Sequence, residues 1–268
     1  MTNLKYWFGV LSVFFFIACN QENVEPELET GLEAITEGIT DQANFKVTLL
    51  SEDTLFHGYN KVWFAVEDQA TGEKVTNASL SLYPEMDMID MKHSAPFENP
   101  DQMANENGLF EGAVVFIMPD TDEMKWRLKV NLNVDNTSDS VWLLIPHVKS
   151  LEEPKIINFI SAVDQKKYFV SLVEPVNPKV GINKLILAIH YKENMMSFPG
   201  DENVSVAINP QMPSMDHGSP NNVNPIHTKG AYYEGKVNFT MTGWWRIYID
   251  LKKDGVPITD GAYIDLTF

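Results

Sequence analysis

Short apolar runs alternate with polar turn residues along most of the chain. The runs are rich in β-branched and aromatic residues, and Gly, Pro, Asn and Asp separate them, which is the pattern of strands joined by turns. The predicted strands of the first part are Val47–Leu50, Val62–Val66, Ser79–Tyr83, Ala113–Met118, Trp126–Leu132 and Val141–Ile145. Those of the second part are Val170–Val173, Leu185–His190, Val204–Ile208, Lys236–Met241, Trp245–Leu251 and Ala262–Phe268. The pattern predicts an all-β protein.

These two sets of strands belong to an internal repeat. Gly58-Tyr59-Asn60-Lys61 matches Gly181-Ile182-Asn183-Lys184, Gly108-Leu109-Phe110-Glu111-Gly112 matches Ala231-Tyr232-Tyr233-Glu234-Gly235, and Trp126-Arg127-Leu128 matches Trp245-Arg246-Ile247. Each unit is about 100 residues long, an ordinary domain length. Roughly six or seven strands in such a length are typical of an immunoglobulin-like sandwich. A single eight-stranded barrel is the alternative, and the repeat counts against it.

We therefore predict two tandem immunoglobulin-like β-sandwich domains, at residues 44–148 and 166–268, joined by a linker at residues 149–165. Within the linker, Ile156–Ile160 is a candidate extra strand. Before the first domain, residues 19–43 contain acidic residues and no basic ones. This composition predicts an acidic spacer, in which Leu28–Ile39 is a candidate short helix.

The N-terminus has the layout of a secretory signal at residues 1–18: Lys5, an apolar stretch from Tyr6 to Ile17, and Ala18 before the only cysteine, Cys19. Phe16-Ile17-Ala18-Cys19 resembles the bacterial lipobox, with Phe16 in place of the usual leucine. The resemblance implies cleavage, lipidation of Cys19 and anchoring in the cell envelope, facing the periplasm or the cell surface. An uncleaved membrane anchor is the alternative, but the apolar stretch is shorter than the roughly 18 residues that a span needs.

The net charge of the chain limits the kinds of partner that it can bind. The net charge is -17, and loss of Lys5 with the signal leaves 19 basic against 37 acidic residues, or -18. A phosphate backbone would be repelled, so nucleic acid is excluded as a partner, and membrane association depends on the lipid. Because lipidation consumes the only thiol, any metal site must use His, Met, carboxylate or backbone ligands.

A Met/His motif follows the third predicted strand in both repeats. The second repeat reads Pro210-Gln211-Met212-Pro213-Ser214-Met215-Asp216-His217-Gly218-Ser219-Pro220. The first, from Pro84 to Pro96, places Met86, Met91 and His93 in the corresponding order. Thioether and imidazole together suit copper, particularly Cu(I). Core packing is the competing explanation for any methionine, but the Pro, Ser, Asp and Gly around Met212 and Met215 predict a loop.

This motif, with the Tyr-Glu-Gly and Trp-Arg strands after it, resembles the YtkA-like domain, which is related to FixH. The resemblance implies an extracytoplasmic β-sandwich that handles copper or assists oxidase assembly, with a copper protein or an oxidase as partner. The implied metal ligands are Met212, Met215 and His217, and their equivalents Met86, Met91 and His93. Because Asp87 and Met88 interrupt the spacing in the first repeat, the second is the stronger candidate. Further donors would be Met88 or Met103, and His227.

The sequence contains no nucleophile elbow, His-Glu-x-x-His helix or phosphate-binding Gly loop, so we predict that the protein is not an enzyme. A protein-interaction or assembly module that binds no metal is the alternative function. The repeated Trp126 and Trp245 are predicted to lie in the cores. The arginines that follow them, Arg127 and Arg246, are predicted to face solvent or to pair with Glu111 and Glu234.

Overall fold

The computed structural model describes residues 31–88 and 90–268. The predicted signal and Cys19 lie outside the described residues, as does the spacer up to residue 30. The described chain is all-β with antiparallel sheets, which confirms the predicted all-β content; its one helical element is a 3-10 turn at Pro213–Met215. In the part of the chain that is described, no helix has the length and apolarity needed to cross a bilayer.

The N-terminal half, residues 31–148, forms two sheets. Its strands are β1 (Glu33–Ile39), β2 (Phe45–Ser51), β3 (Gly58–Asp68), β4 (Ser79–Met88), β5 (Met91–His93), β6 (Phe97–Glu98), β7 (Phe110–Phe116), β8 (Lys125–Val134) and β9 (Thr137–Leu144). One sheet has the order β1-β2-β3-β7-β6 and the other β5-β4-β8-β9. Buried side chains from both sheets make a single apolar core with Trp126 inside it.

The C-terminal half, residues 149–268, follows a similar plan. Its strands are β10 (Ile156–Ile160), β11 (Lys167–Glu174), β12 (Gly181–Tyr191), β13 (Val204–Met212), β14 (His217–Gly218), β15 (Val223–Lys229), β16 (Tyr232–Phe239), β17 (Trp244–Lys253), β18 (Val256–Pro257) and β19 (Tyr263–Thr267). One sheet has the order β10-β11-β12-β16-β15; the other has β14-β13-β17-β18, with β19 also paired to β17. A second apolar core contains Trp245. The five-stranded sheets of the two halves thus have corresponding strand orders.

Two segments outside the predicted domains are strands. Residues 33–39, expected in the acidic spacer and as part of a short helix, form β1 and pair with β2. The helix prediction is wrong here because Ile35 packs against the N-terminal core, and pairing satisfies the backbone of the segment. In the linker, Ile156–Ile160 forms β10 and pairs with β11, which confirms the candidate extra strand.

The repeated Glu-Gly pair has a steric explanation. A Cβ on Gly112 would lie 2.9 Å from the backbone oxygen of Glu98, and one on Gly235 would lie 2.4 Å from that of Val223. Both glycines therefore permit a short edge strand, β6 or β15, to approach the neighbouring strand closely. The repeat preserves a backbone contact at this position.

The predicted tryptophans and arginines differ in outcome. Trp126 and Trp245 are fully buried, which confirms the prediction. Both arginines are ion-paired, but the predicted partners are wrong. Arg127 pairs with Glu85 and Arg246 with Asp265, their cross-strand neighbours. Glu111 and Glu234 lie in the other sheet of each half, where they pair with Lys61 and Lys184 instead.

Candidate metal site

The predicted donors of the N-terminal half lie on two paired strands. Met86 is opposite His93, and Met88 is opposite Met91, across β4 and β5. Opposed residues of an antiparallel pair project to the same face, and so do residues two apart along one strand. The four side chains therefore form one row, which is buried at Met86 and His93 and exposed at Met91. The register thus places the three predicted donors of this half, with Met88, on one face of the β4–β5 pair.

His93 uses both of its ring nitrogens. Nδ1 lies 2.9 Å from the backbone oxygen of Ser94, and Nε2 lies 3.2 Å from the sulfur of Met118. Because a carbonyl oxygen can only accept, Nδ1 carries the proton and donates it. Burial lowers the pKa of His93; the hydrogen bond to Ser94 opposes this shift, and the charge of Lys192 adds to it. This shift favours the neutral imidazole, in which Nδ1 carries the proton and the Nε2 lone pair faces the thioether.

The contact between Nε2 and the Met118 sulfur joins two lone-pair donors. A thioether has no hydrogen to donate, so this neutral pair gains little from the contact alone. Metal-binding histidines commonly donate their other N–H to a backbone carbonyl, which fixes the tautomer and the ring orientation. His93 has this arrangement through Ser94. The pair is consequently suited to one soft cation.

Met118 is held in place by Trp126. The indole Nε1 donates a hydrogen bond of 3.0 Å to the backbone oxygen of Met118. The same indole contacts the His93 ring edge-on, with ring centroids 5.2 Å apart. Trp126 thus orients both members of the donor pair. The sequence predictions missed Met118, although the repeat contained a signal: the matched strands Ala113–Met118 and Lys236–Met241 both end in methionine.

Met212, expected in a loop, is a strand residue of the C-terminal core. β13 continues past Ile208 to Met212, whose side chain is 3 % exposed. Its methyl carbon lies 3.2 Å from the Cβ position of Gly243, so the side chain packs over that glycine. The loop prediction is wrong because pairing with β17 carries Pro210 and Gln211 within the sheet.

Met215 and His217 lie outside this core. Met215 ends the 3-10 turn and is 59 % exposed. His217 is also exposed, and its Nε2 lies 3.1 Å from the hydroxyl of Thr240. His217 is opposite Met212 across β13 and β14, but its hydrogen-bond partner is a hydroxyl. The three predicted donors of this half therefore have no common buried environment.

The C-terminal half nevertheless repeats the scaffold of the N-terminal site. Trp245 Nε1 donates a hydrogen bond of 3.0 Å to the backbone oxygen of Met241, as Trp126 does to Met118. The His217 and Trp245 rings are also edge-on, but with centroids 6.3 Å apart. Met241, a second methionine that the site predictions missed, is the structural equivalent of Met118. The two halves share the Trp–Met arrangement and differ at the histidine.

The extra donors predicted from sequence have separate outcomes. Met88 joins the row beside His93. Met103 forms a bridge with Asn77, before the first residue of β4, whereas Met88 is the last residue of that strand. His227 lies on β15 and contacts the backbone oxygen of Gly230 through Nε2, at 3.1 Å. Met103 and His227 are therefore not assembled with the donors they were expected to join.

Clusters of His, Cys, Asp or Glu ligands, which harder metal ions prefer, are not found in the described part of the chain. Over residues 31–88 and 90–268, no three or more His, Cys, Asp or Glu side chains converge in a way that would hold a metal ion. The His93 group consists of one imidazole with thioethers. Its composition favours a soft cation over zinc or calcium.

Comparison with known protein families gives a match in the C-terminal half. Residues 162–250 match the family model described as YtkA-like. A YtkA-like domain is therefore present there, and it includes Met212, Met215 and His217. The match covers about a third of the chain, and His93 and Met118 lie outside it. No curated protein matches the chain.

Proposed function

We propose that the protein is a membrane-tethered extracytoplasmic protein that binds copper as Cu(I) and hands it to a copper protein or an oxidase. The observation that carries the proposal is the 3.2 Å contact between Nε2 of His93 and the Met118 sulfur. Met88 and Met91, on the same face as His93, supply further thioethers. Cu(I) is the cation that best suits one imidazole with several thioethers outside the reducing cytoplasm.

Methionine has a competing structural role, which the proposal must outweigh. A buried methionine such as Met86 contributes to the core whether or not a metal binds. Met91 is different, because its side chain is 54 % exposed and lies two residues from His93 on the same face of β5. An exposed thioether at that place gains nothing from core packing. It is positioned as an entry ligand for an ion moving from solvent towards His93.

The proposal reverses the ranking of the two motifs. Met215 and His217 remain a weaker and more exposed candidate, and Met212 stays a core residue. The buried His93 group is the better site because its imidazole is already oriented by Ser94 and lies next to a sulfur. Preorganisation of this kind lowers the free-energy cost of ordering the ligands on binding.

The fold and the tether complete the proposal. The corresponding strand orders and the separate cores support two tandem immunoglobulin-like domains. In this proposal the N-terminal half is a divergent YtkA-like copy, and both copies are related to FixH. Cys19 would carry the lipid, with the signal removed. On this view the chain performs no catalysis; it binds its ion and releases it.

The test is a Cu(I) titration against a competing chelator. The mature chain carries Cys19→Ser, so that no thiol contributes. We expect His93→Ala with Met118→Leu to weaken the tightest binding by at least about 100-fold, since both central donors are lost. Met103→Leu is the matched control, because it removes a thioether away from His93, and we expect it to change the affinity less than twofold.

The motif in the C-terminal half is tested in the same titration. Met215→Leu with His217→Ala should leave the tightest site intact and remove only a weaker one. Unchanged Cu(I) affinity in the His93/Met118 double variant would overturn the proposed site. In that case the protein would be better described as an interaction module, for which the exposed Val223 and Ile226 on edge strand β15 offer an apolar surface.

A further inference from the structure

One loop of the C-terminal half contacts the chain next to both central donors of the His93 site. It runs from Lys192 to Phe198, between β12 and the residues that lead to β13. Its Met195 backbone oxygen accepts a hydrogen bond of 2.8 Å from the amide of Ser94. Ser94 is the residue whose own carbonyl oxygen accepts the hydrogen bond from Nδ1 of His93.

Ser94 is fully buried, and its polar groups all have partners. The amide donates to the loop, the carbonyl oxygen accepts from His93, and the hydroxyl donates to the backbone oxygen of Pro84 at 2.7 Å. The orientation of the peptide after Ser94 sets the direction of the oxygen that His93 faces. A contact that holds the Ser94 amide therefore also restrains the imidazole.

The C-terminal end of the loop joins a cluster against which the residue before Met118 packs. Phe198 is buried in a small cluster with Val115 of β7 and with Ile156 and Phe169 of the C-terminal half. Ile117, the residue before Met118, packs against the same cluster. The loop thus restrains the chain beside the nitrogen donor through Met195, and the chain beside the sulfur donor through Phe198.

The loop itself is internally braced. The Ser197 hydroxyl donates to the Glu193 carboxylate at 2.8 Å, and the Glu193 amide donates to the Ser197 backbone oxygen at 3.0 Å. The Met196 amide donates to the side-chain oxygen of Asn194, also at 2.8 Å. A braced loop can hold a neighbouring segment in place, whereas an unconstrained one would yield to it.

We infer that the Lys192–Phe198 loop positions His93 and Met118, so that the Cu(I) site of the N-terminal half requires the C-terminal half. The inference rests on the proposed function for its metal. The loop contributes no ligand in this assignment. It acts through Ser94 on the tautomer and direction of the imidazole, and through the Phe198 cluster on the segment that carries the thioether.

The test compares the same substitution, phenylalanine to alanine, at two positions in the C-terminal half. Phe198→Ala removes a ring from the cluster that Ile117 packs against. Phe159→Ala removes a ring that stacks on Tyr168 within the same half, at a centroid distance of 5.5 Å, and serves as the matched control. We expect Phe198→Ala to weaken Cu(I) binding by about 10-fold, the lower end for loss of a group that orients a ligand. Phe159→Ala should change it less than twofold.

Two measurements separate positioning from general damage. Phe198 anchors the loop whose Met195 oxygen holds the Ser94 amide, so its loss should also loosen that contact. Nitrogen-15 NMR of the metal-free protein should therefore show His93 as the Nδ1–H tautomer in the unaltered chain and a mixture of tautomers in Phe198→Ala. In the unaltered chain, Cu(I) should slow hydrogen exchange at the Ser94 amide, because coupling between two sites is reciprocal. This second measurement needs no variant and holds even if Phe198→Ala fails to fold.

The outcomes distinguish this inference from the proposed function. Unchanged Cu(I) affinity and tautomer in Phe198→Ala, or unchanged Ser94 exchange when Cu(I) binds, would overturn the inference while the copper site stands. If the unaltered chain binds no Cu(I), the proposed function fails. The tautomer comparison in the metal-free protein then still decides whether the loop positions His93.

Discussion

Replacing Trp126 by phenylalanine tests the group that orients the donor pair. The indole is fully buried, donates to the Met118 backbone oxygen at 3.0 Å, and contacts both His93 and Phe116 edge-on with centroids 5.2 Å away. Phenylalanine keeps one six-membered ring and loses the pyrrole ring with its N–H. The change therefore removes one hydrogen bond and leaves a small cavity beside the imidazole.

The expected cost follows from these two losses. Leaving a buried acceptor unpaired costs about 1–3 kcal/mol. Full truncation of a buried tryptophan costs about 3–5 kcal/mol, and we assign about 1 kcal/mol to the smaller cavity left by phenylalanine. The sum is about 2–4 kcal/mol, a large fraction of the roughly 5–15 kcal/mol that stabilises an ordinary domain.

Urea unfolding followed by far-ultraviolet circular dichroism measures this loss, since the signal does not depend on tryptophan fluorescence. Trp245→Phe is the matched control, because Trp245 is equally buried and donates the corresponding bond to Met241. Both variants should lower stability by similar amounts. Only Trp126→Phe should also weaken Cu(I) binding at His93. A loss below about 0.5 kcal/mol, or equal effects of both variants on Cu(I), would refute the reasoning.

Two further predictions concern stability. Gly235→Ala should destabilise the C-terminal half by several kcal/mol, to be seen as a lower urea midpoint, because its Cβ would meet the Val223 backbone oxygen at 2.4 Å; Gly218→Ala, with no contact closer than 3.9 Å, is the control. Burial lowers the pKa of His190 to about 4 from 6.5. Because the unfolded chain binds this proton more tightly, the free energy of unfolding should be highest above pH 6.5 and fall by about 3 kcal/mol towards pH 4. His190→Leu should flatten that urea-midpoint profile between pH 7.5 and pH 4.5, and an unchanged slope would contradict the assignment.

The local sequence pattern was sufficient to predict an all-β protein and many of its strands. Alternating runs bounded by turn residues predicted the strands, and the matched Trp-Arg segments predicted two buried tryptophans. The pattern failed to predict strands in segments whose composition is typical of loops. β1 is acidic and β13 contains Pro210, so each looks irregular from its sequence. Both are strands because a neighbouring strand supplies the backbone partners, and no local signal encodes that neighbour.

The candidate site was predictable only in part. The spacing of Met86, Met91 and His93 identified one side of it, because cross-strand neighbours follow a short turn. Met118 was missed because it approaches His93 from 25 residues away, through a packing contact that no motif spacing describes. The arginine partners failed for the same reason: cross-strand register, and not the repeat, decides which carboxylate each guanidinium meets.

The sequence by itself determined that this is an all-β protein with a repeated Met/His motif and a single cysteine. Only the tertiary structure decided that His93 meets the Met118 sulfur, that Met212 belongs to a core, and that a loop of the C-terminal half contacts Ser94. The physical reason is that burial is favourable for methionine in either role. Its chemistry therefore depends on which atoms long-range pairing and packing bring beside it.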